Sequence, residues 1–325
     1  MSHLAIVVVS YNTCELTRKC LESVETSLGR SKLDADVWVV DNASSDGTAD
    51  MIRTCFPRAH LIASPENLGF ARANNVALRA MRLGRSSVRP DGPDDLLVLL
   101  LNPDTEVQGE AIRTLCQAMD RHPGTGMQGA SLLHADGRFQ HSAFRFPSLA
   151  QAFLDFFPLH HRLLDSRING RYPRSLYGAG EPFSIDHPLG AVMMVRAEAI
   201  RQVGLMDEGF FMYCEEVDWC FRMKAQGWEI QCVPQARVVH HVAQSTRQFR
   251  DRMFVELWRS RFRLFSKHYG PAYRWALRHI VRLGLWHEAR RVRSADLDTS
   301  ERESRLGAYR QVLEMMSPFE QAERG

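Results

Sequence analysis

Five carboxylates sit where they could do chemistry together. Asp41 lies in VWVVDNASSDGT, Asp104 in LLVLLLNPDTEV, and Glu215, Glu216 and Asp218 in FFMYCEEVDWC. Carboxylate oxygens suit a hard divalent cation such as Mg2+ or Mn2+, and that cation is the usual partner of phosphate oxygens. Breaking a sugar–diphosphate bond gathers negative charge on the leaving group, which a metal stabilises. An attacking hydroxyl must lose its proton, which asks for a carboxylate base within hydrogen-bond reach. One set of acids could serve both needs.

Each acid also has a structural explanation. Asp41-Asn42 precedes Ser44, Ser45 and Asp46-Gly47, all turn and cap formers. Asn102-Pro103-Asp104 could be a turn with Asp104 capping the next helix. Acids in the first turn of a helix complement its dipole, which would account for Glu215, Glu216 and Asp218. Their shared position shifts the balance, and that position follows from the elements around them.

Apolar runs alternate with helical periods along the first half. Leu4–Val9, Asp36–Val40, His60–Ala63 and the leucine-rich Leu96–Leu101 read as strands. Helices are expected from about Thr13 to Leu28, Asp46 to Cys55 and Phe70 to Met81. This alternation implies parallel βαβ units in a doubly wound α/β sheet. Such sheets bind ligands beyond the carboxyl ends of their strands. Asp41 and Asp104 stand at two such ends. Arg85–Asp95 reads as an exposed loop, and from Phe139 to Glu181 the periodicity fades into a variable excursion of the kind that carries specificity. Gly190–Val195 reads as a strand and Ala197–Val203 as a helix. A further helix runs from Glu215 to Gln226, with Gly227 as its C-cap. Beyond Thr246 the pattern is helical and basic, broken at Gly270-Pro271, with a frayed charged end.

Composition agrees with a folded catalytic domain plus an appendage. The chain has 325 residues, 45% of them apolar, enough for one large core. Seven cysteines, an odd number without a C-x-x-C pair, read as free thiols of a reducing compartment. The opening MSHLAIVVVSYN lacks a basic region, and no stretch approaches the ~20 apolar residues of a membrane span. A cytoplasmic protein is expected, at most peripheral on the inner face of the membrane. The net charge of +3 hides an asymmetry: thirteen Lys and Arg against three acids between Thr246 and Ala295 leave the rest of the chain acidic. A basic tail on an acidic body implies an anionic partner on one side.

In order, IVVVSYN (Ile6–Asn12), VVDNASSDGT (Val39–Thr48), ENLGFARANN (Glu66–Asn75), LLLNPDT (Leu99–Thr105), the long Gly190–Trp228 segment and VVHH (Val238–His241) resemble the family 2 glycosyltransferases, especially their bacterial rhamnosyltransferase-like branch. The resemblance runs from about Ala5 to His268. It implies the GT-A fold, a Rossmann-like, mostly parallel sheet flanked by helices, here with a basic helical C-terminal extension. It places the catalytic domain at residues 1–245, with a nucleotide-sugar half to about 135 and an acceptor half after it, and the extension at 246–325.

The resemblance also implies roles. Tyr11 and Asp41 line the nucleobase pocket. Arg72 and Asn75 lie beside base, ribose or phosphates. Asp104 is the surviving acid of a metal-binding DxD-like motif whose first acid is replaced by Asn102. The base belongs to the Glu215-Glu216 pair, with Glu216 preferred and Asp218 and Glu215 as rivals. His240 or His241, with His240 slightly favoured, adds a ligand for Mg2+ or Mn2+, although a histidine pair ending an apolar strand also has a structural reading. Asp207 and Glu208 are candidates for contact with donor sugar or acceptor. The reaction is expected to invert the anomeric centre in one displacement. The donor is expected to be dTDP-rhamnose, with a UDP-sugar as alternative, and the acceptor a glycan or lipid-linked glycan of cell-surface polysaccharide.

Two rivals are weaker. A sugar nucleotidyltransferase would carry a glycine-rich phosphate loop after the first strand, where Ser10-Tyr11-Asn12-Thr13-Cys14 has no glycine. A non-catalytic carbohydrate-binding or scaffold protein would be expected to lose the acids that this chain keeps. In the tail, Arg259, Arg261, Arg263 and Lys267 precede Trp275, Leu277, Ile280, Val281 and Trp286. They suit either a helical hairpin with a solvated basic face or a surface resting on anionic lipid. No nucleic-acid motif accompanies the charge, and the tail aromatics permit an oligomer.

Overall fold

The computed structural model describes residues 3–83, 95–241 and 250–316. The loop expected at Arg85–Asp95, the first residues of the basic tail and the final residues lie mostly or wholly outside the described residues. The chain begins β1 (Leu4–Ser10), α1 (Cys14–Ser31), β2 (Asp36–Asp41), α2 (Thr48–Cys55), β3 (His60–Ala63), α3 (Phe70–Ala80), β4 (Leu97–Leu101), β5 (Thr105–Val107), α4 (Ala111–Arg121) and β6 (Thr125–Leu133). Short elements follow: β7 (Phe139–Gln140), β8 (Ala143–Phe144), α5 (Leu149–Phe156), α6 (His161–Leu164), α7 (Arg174–Gly178), β9 (Phe183–Ser184) and β10 (His187–Pro188). Then come β11 (Val192–Arg196), α8 (Ala197–Val203), α9 (Glu215–Ala225) and β12 (Glu229–His240), and last α10 (Arg250–His268), α11 (Pro271–Ser294) and α12 (Thr299–Met315).

Two compact units form. The first comprises residues 1–144, 172–211 and 215–245, the second 145–171, 212–214 and 246–325. The segment 145–171 groups with the C-terminal helices in the second unit.

The first unit is built on a sheet of order β3-β2-β1-β4-β11-β6-β12-β5, with β7 pairing β6 and β9 pairing β12. β3, β2, β1 and β4 are parallel. β11 then runs antiparallel between β4 and β6, and β12 lies parallel to β6. The sheet is mostly parallel and flanked by helices, as expected. Leu97 to Leu101 are all buried, which is why β4 shows a continuous apolar run and no alternation. One core gathers β1, β4 and β11 with Leu21 and Val24 of α1 and Ile112 and Leu115 of α4. The turn at Gly69 needs glycine: its φ is +77° and a Cβ there would collide with the Phe211 carbonyl oxygen. That carbonyl accepts the Phe70 N–H at 2.7 Å.

The second unit has its own core of Phe156, Val255, Trp258, Phe262, Phe265, Leu277, Val281, Leu285 and Val312. The excursion that the sequence left without pattern gains α5, started by a Ser148–Gln151 capping box. The helical tail ends in α12 over Thr299–Met315, N-capped by Asp298 accepting from the Glu301 N–H, and the frayed end expected of the final residues lies outside the described residues. The break at Gly270-Pro271 starts α11 with proline in its first turn.

Gly284 of α11 faces the ring of Phe156, and a Cβ there would overlap it. Alanine gains about 1 kcal/mol of helix propensity over glycine. The ring cannot swing aside freely, because it stacks on Trp258 at 5.3 Å between centroids. Overpacking of this kind costs about 1–3 kcal/mol, so it wins. Gly284→Ala is expected to lower the melting temperature by several degrees in thermal denaturation; an unchanged or raised value would show that the helices yield.

Candidate active site

The acids and their partners collect at the carboxyl ends of β1, β2 and β4, all within the first unit. Ser10 pairs with Asp41, and Val8 with Leu101, so the three strand ends lie side by side. Asp41 is buried and takes long contacts from Ser10 Oγ (3.4 Å) and the Ser44 N–H (3.3 Å). Tyr11, one residue past β1, is 38% exposed. The loops after β1 and β2 bind each other: the Asn12 N–H donates to Ser44 Oγ, the Ser45 N–H to Asn12 Oδ1, and the Cys14 N–H to Asp46 Oδ2. Asn42 ties the next loop by accepting from the Leu68 N–H and donating to Asn67 and the Gly69 carbonyl. The turn-forming role read for Asn42 and Asp46 is therefore real, while Asp41 is left with weak partners.

Beyond β4, Asn102 and Asp104 stand in a tight turn closed by Thr105 Oγ1 donating to the Asn102 carbonyl at 2.7 Å. Oδ1 of Asp104 is buried without a hydrogen bond, and so is Oδ1 of Asn102. A buried carboxylate oxygen without a donor is costly, and it needs a cation or proton to face. What faces it is His240: Nε2 lies 3.5 Å from Asp104 Oδ1. β12 delivers this residue, since His240 pairs with Thr105 across the β12–β5 ladder. His241 points elsewhere, with Nε2 2.7 Å from Glu106 Oε1, and its backbone N–H donates to the Asp104 carbonyl. The pair that the sequence could not separate is thus separated by strand alternation. Gln140 of β7, which no sequence pattern flagged, meets the other face of the ring with Nε2 3.1 Å from His240 Nδ1, while its own Oε1 is buried without a partner.

Glu216 reaches the same neighbourhood by another route. The Asn102 N–H donates to the Ala191 carbonyl at 3.0 Å, and a Cβ placed on Gly190 would lie 3.6 Å from the Glu216 carboxyl carbon. Glu216 thus lies within van der Waals reach of position 190, next to the residue whose carbonyl holds the β4 turn. Tyr213 (φ 71°) and Cys214 (φ 66°), just before α9, are both left-handed. Such conformations cost non-glycine residues about 1–2 kcal/mol each and are tolerated only where the surrounding structure holds them. Burial pushes the Glu216 carboxyl up to about 7, opposed by backbone N–H groups at the helix start. Glu215 is more deeply buried, with Oε2 unpartnered, and burial together with the charge of Glu216 pushes it well above the usual carboxylate range.

Several other residues proposed from sequence turn away. Asp218 is fully buried and accepts from Arg222 Nε at 2.9 Å, and that guanidinium also binds the carbonyls of Val203 and Leu205. Asn75 is fully buried: it donates to the Met206 carbonyl and Glu208, and accepts from the Met206 N–H. Its amide holds the turn after α8 and has no edge left for ribose or phosphate. Glu208 is further engaged by Arg79, and Asp207 accepts from the Gly209 N–H. Arg72 is exposed, with Glu66 at 3.7 Å. None of the seven cysteines forms a disulfide.

The architecture has known counterparts. The mannosyltransferase PcManGT from Pyrobaculum calidifontis, solved with GDP-Man and Mn2+, superposes with a TM-score of 0.56 at 16% identity, covering 98% of this chain and 88% of that one. The N-acetylglucosaminyl-diphospho-decaprenol L-rhamnosyltransferase of Mycobacterium tuberculosis is 29% identical over 247 residues, 75% of this chain and 77% of that protein. The dTDP-rhamnosyl transferase RfbF of Shigella flexneri is 24% identical over 244 residues, 74% of this chain and 70% of that protein. The family model of Glycosyl transferase family 2 matches residues 5–204, a span that includes the β1, β2 and β4 strand ends. The chain belongs to glycosyl transferase family 2, and is a glycosyltransferase of the GT-A fold with rhamnosyltransferase relatives.

Proposed function

We propose that the protein transfers rhamnose from dTDP-rhamnose, with inversion, to a hydroxyl of a lipid-diphosphate-linked glycan. The observation that carries the site is the buried, unpartnered Oδ1 of Asp104 facing His240 Nε2. The choice of sugar, nucleotide and acceptor rests on what the relatives are named for. Asp104 and His240 fit a divalent metal, a carboxylate and an imidazole aimed at one point. Among the described residues no cluster of three or more such side chains could hold a metal by itself. Asp104 and His240 would then hold the ion together with the bound donor. Bound there, Mg2+ or Mn2+ supplies charge stabilisation to the departing diphosphate. Tyr11 and Asp41 receive the nucleobase, and Arg72, exposed and nearly unpaired, is free to swing onto phosphate. Glu216 takes the acceptor proton as its oxygen bonds to the anomeric carbon and the bond to diphosphate breaks on the opposite face. Glu215, Asp218 and Asn75 position the others.

Gln140 has a part in this reading. Turned over, its amide would place Oε1 against an Nδ1–H of His240, satisfying the buried oxygen and leaving the Nε2 lone pair toward Asp104. Such partners orient ligating histidines, and their loss typically costs 10–100-fold in metal affinity. Gln140→Leu is expected to weaken Mn2+-dependent donor binding by about that factor, and Gln140→Glu to retain it. Equal affinity in the leucine variant would remove Gln140 from the site.

The donor is tested by turnover. With a synthetic prenyl-diphosphate-linked N-acetylglucosamine acceptor and Mn2+, dTDP-rhamnose should yield disaccharide of inverted anomeric configuration by NMR. Transfer from UDP-sugars alone would reassign the donor, and retained configuration would remove the single-displacement mechanism.

A further inference from the structure

Helix α11 carries an exposed stripe that the second unit's core does not use. Trp275, Leu283 and Trp286 are 58%, 52% and 54% exposed, large fractions for such side chains. At 100° per residue they fall with His279, Arg282, Arg290 and Arg293 within an arc of roughly 100°. All seven are exposed. The opposite side, Leu277, Val281, Leu285 and Val292, is buried in the core, and Gly284 seats Phe156 there. The stripe therefore faces outward because the helix is already anchored on its other face.

Its chemistry is selective. The two tryptophans are eleven residues apart, roughly 16 Å along the axis and within about 20° in angle, so both rings can reach one plane together. Arg290 lies over the Trp286 ring at 4.2 Å, and the rings of Trp275 and His279 are 4.3 Å apart. The helix has one acid, Glu288, which lies off the stripe and is met by Arg291 at 2.9 Å and His287 at 3.6 Å. The stripe itself thus holds arginines and no carboxylate. Tryptophan and arginine on one helix face is the composition that rests in a headgroup layer, aromatic rings at the polar–apolar boundary and guanidinium groups on lipid phosphate. Among the described residues no helix is long and apolar enough to cross a membrane, so such contact would be peripheral.

We infer that the Trp275–Leu283–Trp286 stripe of α11, with Arg282, Arg290 and Arg293, is a docking surface for an anionic phospholipid bilayer. It deepens the lipid-linked acceptor reading by naming the surface on which that acceptor would be met, and it can fail independently of it.

The test uses the full chain without donor or acceptor, floated with vesicles of phosphatidylcholine alone or mixed with phosphatidylglycerol. Wild type should float with the mixed vesicles only, show a blue-shifted tryptophan emission, and release as salt is raised. The triple variant Arg282→Gln, Arg290→Gln, Arg293→Gln should bind roughly 100-fold more weakly, since each basic side chain near an anionic surface contributes about fivefold. Trp275→Ala with Trp286→Ala should lose binding and the blue shift together. These exposed substitutions should leave the melting temperature in place, which serves as the folding control. Wild type that ignores anionic vesicles, or variants that bind as wild type does, would overturn the proposal. So would a wild-type dimer in sedimentation velocity that the double tryptophan variant abolishes, because the stripe would then belong to a second copy.

Discussion

Glu216→Gln is expected to lower kcat by about 10²–10⁴, the range general-base catalysis supplies, with little change in donor affinity. The wild-type rate should rise with pH and level off above about 7, because the carboxyl that burial has pushed up to about 7 must be ionised to accept the acceptor proton. The glutamine variant should lose that titration from whatever rate remains. Stability runs the other way. The folded carboxyl holds its proton up to about 7, whereas an unfolded chain releases it near the ordinary value of 4.5. The folded state therefore loses ground as pH climbs through that window. Glu216→Gln, a mimic of the protonated acid, should match wild type in melting temperature at pH 4 and exceed it at pH 8. A variant both less active and more stable at pH 8 cannot have lost activity by unfolding. Glu215 supplies the control: burial and the neighbouring charge of Glu216 push its carboxyl well above the usual carboxylate range, which disfavours the ionised form a base needs, so Glu215→Gln should cost less in kcat than Glu216→Gln. A large loss in Glu215→Gln with a small one in Glu216→Gln would exchange their roles.

Asp104→Ala should abolish measurable transfer, a loss of at least about 10³ in kcat/KM, because it removes the carboxylate of the β4 turn that faces His240. The contribution divides between donor affinity and leaving-group stabilisation, so both KM and kcat should suffer. His240→Ala should lose less, about 10–100-fold, since a neutral imidazole contributes less charge than a carboxylate and the donor diphosphate can still hold the ion. His241→Ala breaks the contact with Glu106 and should leave transfer within a few-fold of wild type. Equal losses in the two histidine variants would contradict the separation that strand alternation imposes.

The parallel half of the fold was legible because its signals are local. The apolar runs at Leu4 and Leu97 and the glycine and asparagine turns between them bound strands within a residue or two of where they form. β6, β5 and most of β12 escaped, since their residues mix polar with apolar side chains and their pairing is long-range, while α4 escaped although its buried Ala111, Ile112, Leu115, Ala118 and Met119 repeat at helical spacing. The candidate site was legible where a strand end positions the residue. Asp41, Asp104 and His240 stand where the sequence put them, but the partners that decide their chemistry do not neighbour them in the chain. Asn75 shows the limit. Its place in ENLGFARANN resembles a ligand contact, and only the fold shows its amide spent on Met206 and Glu208, 131 and 133 residues away. Asp218 likewise looks equivalent to Glu216 in sequence, until helix phase turns it into the core against Arg222. Gln140 could not have been found, because a glutamine on a two-residue strand carries no pattern.

The most direct test of the account is calorimetric titration of dTDP-rhamnose into wild type and Asp104→Ala, each with Mn2+ and each with EDTA. The account predicts saturable binding by wild type with Mn2+, binding at least about tenfold weaker with EDTA, and no metal dependence in Asp104→Ala. Tight donor binding that is identical in all four titrations would contradict it, since the ion would then be held by neither Asp104 nor the donor it is supposed to bridge.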